Sequence, residues 1–209
     1  MKTWSLLISL AAMVALPSTA PAQEEQQRFP ILQRSEMTQL QREVLDSMRP
    51  QTPPRNSLGS PFNVWLRSPE VGEHLQQVGS YIRFKSVLGA KLNEFAILIT
   101  ARQWGAQYEW HAHHRLALQA GLNPAIADAV ARGQRPGGMS AEEEAIYDFS
   151  TELHANRQVS DATFKAVADR FGEQGVMDLI AVNGYYTLIA MVLNVDRTPV
   201  PGGAPLPLK

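Results

Sequence analysis

From residue 62 to residue 196 the apolar positions of this chain read at helical spacing. Ser68-Pro69-Glu70 offers an N-cap followed by proline at the first helical position, and predicts a helix from Val71 to Lys85. Lys91 to Trp104 predicts a second, with Leu92, Phe95, Ala96, Ile99 and Gln103 on one stripe. Its centre, residues 95–99, is apolar on every side, and the unbroken length up to Gly105 favours a buried helix over a strand. A third helix is expected from Gln107 to Ala120, with Gly121 just past its C-cap, and Asn123-Pro124 opens a fourth. Ser140 and Glu143 form a capping box ahead of Ala145, Ile146, Phe149 and Leu153. Ser160 caps 161–171, and Gly175 to Val195 is the last helix. The expected fold class is all-α.

Proline sets the boundaries. Of 14 prolines only Pro69, Pro124 and Pro136 lie between residues 62 and 196, so that stretch can carry uninterrupted helices. Residues 23–34 read as a mobile arm, 35–48 as a short amphipathic helix capped by Ser35, and 49–61 as a proline-rich linker. The expected organisation is 1–22 signal peptide, 23–61 arm, 62–196 helical domain and 197–209 an extended Pro/Gly-rich tail. Lys2, the apolar run Leu6 to Leu16 and the small-x-small triplet Ala20-Pro21-Ala22 predict export with cleavage between Ala22 and Gln23. The run is shorter than the roughly 20 residues a membrane span needs. The mature chain is therefore expected to be periplasmic or secreted, with no membrane association after cleavage.

The last helix is apolar on more sides than one stripe. Val176, Leu179, Ile180, Val182, Ile189, Val192 and Leu193 ask for more cover than a core of this size supplies, so association into a homo-oligomer is expected. Asp178, Asn183 and Gly184 within it argue against a membrane span.

Composition removes several classes of chemistry. With no cysteine there is no disulfide, thiolate metal site, iron–sulfur cluster or thiol nucleophile. Nineteen Lys and Arg against 20 Asp and Glu lack the basic excess of a nucleic-acid binder. The densest polar cluster is 108–115, YEWHAHHR. On a helix, Glu109 and His113 lie roughly 40° apart on one face, whereas His111 and His113 diverge by roughly 160°. His111 shares its face with His114. Three readings stay open: a solvated face, a metal site needing a third ligand from elsewhere, or an acid–base pair in which the carboxylate holds the imidazole tautomer and raises its pKa. Glu94, near the start of an apolar helix, is either a dipole partner or a second acid–base group. In one straight helix it would lie roughly 22 Å from Glu109, so only a chain reversal near Gly105 can join them. His74 and His154 read as surface or edge histidines, and Tyr185 and Tyr186 as core packers whose hydroxyls find partners.

The segments Lys91–Leu98 (KLNEFAIL), Gly105–His113 (GAQYEWHAH) and Leu116–Leu122 (LALQAGL) resemble the carboxymuconolactone decarboxylase family. Val159–Phe164 (VSDATF) and Gly184–Leu188 (GYYTL) fit the same pattern. The resemblance implies an alkyl hydroperoxidase D-like (AhpD-like) helical fold that assembles as a homotrimer or hexamer. In the peroxidase branch a Cys-x-x-Cys-x-x-x-His motif follows an upstream Glu. Aligned on His113, this puts Ala106 and Glu109 at the two cysteines and Glu94 at the upstream Glu. Disulfide-relay peroxide chemistry is thereby excluded at this site. The decarboxylase branch, with Glu-x-x-x-His at Glu109 and His113, is the better likeness. It implies a lyase, or an isomerase, acting on a small lactone or carboxylic acid without cofactor or metal. Its catalytic set would be Glu94, Glu109 and His113: His113 as proton donor, Glu109 orienting it, and Glu94 as second acid–base or positioning group. All three should then line one partly enclosed cavity. A non-enzymatic relative that binds a ligand or a partner protein is the alternative.

Overall fold

The middle of the chain becomes the axis of the structure. A computed structural model describes residues 26–48, 52–203 and 206–208, and every regular element among them is helical. The expected export signal and its cleavage site lie outside the described residues. The elements are α1 Gln39–Met48, α2 Phe62–Trp65, α3 Pro69–Lys85, α4 Gly89–Gln103, α5 Gln107–Gln119, α6 Pro124–Ala131, α7 Ala141–Asn156 and α8 Asp161–Asp196, with short 3-10 turns at Arg34–Glu36 and Pro201–Gly203.

Helix α4 is the run that is apolar all round, and it is buried all round. Phe95, Ala96, Ile97, Leu98 and Ala101 are sealed from solvent, and α3, α5, α6, α7 and α8 all pack on this helix. Each such aliphatic or aromatic side chain contributes roughly 1.5–3 kcal/mol of burial free energy. Its C-terminus is a Schellman motif: Gly105, at φ +57°, donates to Arg102 O, and Ala106 donates to Ala101 O. The glycine permits the left-handed turn that sends α5 back along α4. Helix α5 ends the same way, with Gly121 at φ +94° and Leu122 donating to Ala117 O. Asn123, Ser140 and Ser160 each accept a backbone N–H as N-caps, and Ser140 and Glu143 close the expected box. Ser68 occupies the N-cap of α3, but its side chain makes no capping bond.

Three expectations are corrected. Ser35 sits inside a 3-10 turn, and α1 is instead capped by Thr38, whose Oγ1 accepts from Gln41 N while Gln41 Oε1 accepts from Thr38 N. The arm is docked over its described residues 26–34. Gln27 Nε2 and Phe29 N donate to the Asp196 carboxylate at 2.8 and 2.9 Å, and Leu32 N donates to Asn63 Oδ1. The tail also returns to the body, where Leu208 is buried and exchanges two hydrogen bonds with the Gln107 side chain. The expected division of the last helical stretch between 171 and 175 is present within α8, where Gly172 (φ 67°, ψ −178°) interrupts the helical backbone.

That last helix is better covered than its sequence suggests. Val176, Leu179, Val182, Ile189 and Leu193 are buried by the chain's own α3, α4 and α7. Met177, Ile180, Met191 and Val195 remain on its outer side. By length and composition α8 could cross a membrane, yet 50% of its most apolar window is buried inside the protein.

Candidate active site

The α4–α5 hairpin decides the site. Glu94 lies about 15 Å back along α4 from the turn and His113 about 10 Å forward along α5, so the reversal sets them side by side. His113 Nδ1 and Glu94 Oε2 are 2.6 Å apart, the short distance of a charge-assisted hydrogen bond. On the other edge of the ring, Nε2 is 3.1 Å from Glu109 Oε1, one helical turn away. That second contact is an ion pair within the same helix. Glu109 Oε1 is closed to solvent, and the partner it faces is the His113 ring. All three residues are buried, at 8% exposure for Glu94, 3% for Glu109 and 7% for His113.

An imidazole between two carboxylates holds its proton. Burial pulls the His113 pKa down, but the charges of Glu109 and Glu94 outweigh it and raise the value to about 9. At neutral pH the His113 ring is an imidazolium.

His113 and Glu109 form the floor of a cavity of about 510 Å³, which lies within the range of small-molecule sites. Glu109 and His113 border it; Glu94 does not, and stands behind the imidazole. Glu94 meets Nδ1 from behind the ring, and Glu109 is the carboxyl group on the cavity side. His111 is exposed, His114 stacks on Trp110, and His74 is exposed. His154 is half-buried, with Nε2 3.1 Å from Thr100 Oγ1. Among the described residues no group of three or more side chains is spaced to hold a metal ion.

The sequence reading missed most of the walls. Tyr185 and Tyr186 line the cavity, and neither hydroxyl has a hydrogen-bond partner among the described residues. Tyr186 stands edge-on to His113, with ring centroids 5.1 Å apart at 78°. Burial, helped by Glu109 and opposed by Arg83, pushes both phenols well above their ordinary pKa. They stay neutral and can only donate or accept hydrogen bonds. Arg83 and Phe84 come from α3, and Ser60, Pro61, Phe62 and Trp65 from the segment before it. The pairing of the tyrosines was visible in GYYTL; the approach of α3 to them was not. Its one signal was Gly79, where an added Cβ would come within 2.3 Å of the Tyr185 hydroxyl oxygen.

No protein-family model matches the chain, and no curated protein matches it. Solved structures do. An Agrobacterium tumefaciens protein of unknown function, provisionally assigned as an antioxidant defence protein AhpD, superposes with a TM-score of 0.60 at 13% identity, over 66% of this chain and 96% of that one. The chain has the AhpD-like fold. A second AhpD-like match is the debrominase Bmp8, as an alanine-for-cysteine variant in complex with 2,3,4-tribromopyrrole. Its TM-score is 0.63 at 15% identity, over 86% of this chain and 94% of that one. This chain has no cysteine at any position.

Proposed function

We propose that this protein is an enzyme of proton transfer, a cofactor-independent lyase or isomerase acting on a small lactone or carboxylic acid. The observation that carries the reading is the Glu94–His113–Glu109 trio, two of whose members border a partly open cavity of small-molecule size. A buried imidazole held between two carboxyl groups is costly to assemble, and folds keep such clusters where they work. The Bmp8 neighbour is an enzyme and binds a small planar ring, which supports a small-molecule substrate here.

In a decarboxylation, the electron pair of the breaking C–CO2 bond enters a conjugated carbonyl and forms a dienolate. Tyr185 and Tyr186, held neutral, offer O–H donors to the growing oxyanion. The His113 imidazolium then delivers its Nε2 proton to carbon, and the neutral ring recovers a proton from water. Glu94 keeps the ring in place through Nδ1–H. In an isomerisation, Glu109 takes the proton from one carbon and His113 returns one to another. Nothing in either sequence requires a metal or an organic cofactor.

Export to the periplasm or medium is part of the proposal, carried by the N-terminal sequence pattern. So is assembly as a homotrimer or hexamer, for which the outer stripe Met177, Ile180, Met191 and Val195 offers an apolar surface.

The test is a panel of lactone acids and unsaturated carboxylic acids, read by CO2 release and by solvent-deuterium incorporation. His113→Ala should lose about 10² or more in turnover and His111→Ala little. No turnover anywhere in the panel, or equal losses from both histidines, would reject the acid–base reading and leave ligand binding without chemistry.

A further inference from the structure

Helix α3 presents polar residues to the cavity where a packing helix would present apolar ones. Gln76, Gly79, Ser80, Arg83 and Phe84 recur at i, i+3, i+4, i+7 and i+8, which is one face of a helix, and all five border the cavity. Gly79 lets the Tyr185 hydroxyl lie directly on this face, so the α3 wall and the tyrosine wall close on each other. Arg83 makes no hydrogen bond or ion pair with any described residue, and its guanidinium rests over the Phe84 ring, 5.6 Å from the centroid. It is also the one Lys or Arg that borders the cavity.

The floor imposes the opposite demand. Two glutamate carboxyl groups converge on one imidazole there, and Glu109 borders the cavity with that ring as its partner. A second anion close to that floor would be repelled, while a hydroxyl or N–H would find an acceptor waiting. Between mouth and floor the walls include the rings of Phe62, Trp65, Tyr108 and Tyr186, which favour a flat ligand.

We infer that the cavity takes a small planar carboxylate held in one orientation, its anionic group at Arg83 and a hydroxyl or N–H donor turned inward to Glu109. Arg83 is then the residue that determines specificity, because a guanidinium pairs with a carboxylate through two parallel N–H donors and a neutral ring offers it nothing comparable. The carboxylate at Arg83 is one the substrate retains, and the reacting carbon lies at the His113 end. The inference rests on the acid–base reading for treating this cavity as the substrate site, but its own claim concerns binding and is tested without turnover.

Three probes separate the two polar demands in calorimetric titrations of the full chain: 4-hydroxybenzoate carries carboxylate and donor, benzoate the carboxylate alone, phenol the donor alone. With the intact protein 4-hydroxybenzoate should bind at least about tenfold more tightly than either single-function probe, one decade being the smallest step expected from a charge-assisted pair. Arg83→Met, a change at an exposed position, should remove that advantage over phenol, weaken benzoate to a similar degree and leave phenol unchanged. Arg83→Lys should recover part of the loss. Equal binding of phenol and 4-hydroxybenzoate, indifference of both acids to Arg83→Met, or no binding of any probe in the millimolar range would each overturn the inference. If the binding order holds while the substrate panel shows no turnover, the acid–base reading fails and the orientation by Arg83 stands. If turnover is found on substrates that bind regardless of charge, the orientation fails alone.

Discussion

Asp196 and Glu109 are both carboxylates shut inside the protein, and they differ in how many donors reach them. Asp196, at the end of α8 and 0% exposed under a thin cover, receives Gln27 Nε2, Phe29 N, Thr198 Oγ1 and a short bond from Ser60 Oγ. Burial pushes its pKa up, but those donors overcome it and hold the carboxyl below its ordinary value. Glu109 faces a single partner, the His113 imidazole 3.1 Å away, which Glu94 holds more closely. A carboxylate held by four donors is a fastener, here joining the arm to the last helix. A carboxylate kept dry beside one imidazole on a cavity wall keeps capacity to accept a further donor.

The largest effect that tests this contrast is expected at the fastener. Asp196→Ala strands several buried donors at once and should lower stability by about 3 kcal/mol, read as a shift of the urea midpoint at constant slope. It should also open residues 26–34 to protease and weaken ligand binding, since Ser60 borders the cavity. A loss under about 1 kcal/mol would mean that the arm is held by other contacts and that the contrast is misdrawn.

The two clusters should next fail at opposite ends of the pH range. The folded pKa of His113 is raised from 6.5 to about 9, so its contribution is complete below 6.5 and disappears as pH rises through about 9. Each pKa unit is worth about 1.4 kcal/mol, which bounds this contribution at about 3 kcal/mol. Asp196 behaves in the reverse sense: its contribution is present above 3.8 and is lost as pH falls through its depressed folded value. Denaturant midpoints across pH 2 to 10 should show an alkaline decline that His113→Asn abolishes and an acid decline that Asp196→Asn reduces. An alkaline limb unchanged in His113→Asn would place the decline elsewhere.

The smallest effect is the sharpest. Glu109→Gln keeps the shape but removes the larger of the two charges that raise the His113 pKa, so the alkaline decline should move to lower pH and stability at pH 7 should fall by about 1 kcal/mol while turnover falls. If thermal unfolding shows Glu109→Gln to be as damaging as Asp196→Asn, the two carboxylates are alike and Glu109 is structural.

Much of this could be read in the chain before its structure. Caps at Asn123, Ser140 and Ser160 were legible because they are local devices, complete within four residues. The i, i+4 relation of Glu109 to His113 was legible for the same reason. Gly105 signalled that α4 must end there, and with it the only route by which Glu94 could approach. The division of labour between the two glutamates was not legible. Which carboxylate meets Nδ1 depends on how far α5 rotates against α4, and no periodicity reports that rotation. The arm was misread because its donors are ordinary backbone and glutamine groups, whose acceptor lies about 170 residues away in sequence.

By itself, then, the amino-acid sequence determined an all-helical chain with a central helix apolar enough to be its core, the absence of thiol chemistry, and two of three site residues already on one face. These follow from interactions that span a turn or two of helix. Tertiary structure alone decided that Glu94 stands behind His113 and Glu109 before it, that Tyr185, Tyr186 and Arg83 share the cavity, and that the N-terminal arm closes against Asp196. Each of those joins segments far apart in the chain, and such contacts are selected by the packing of whole helices rather than by any local pattern of residues.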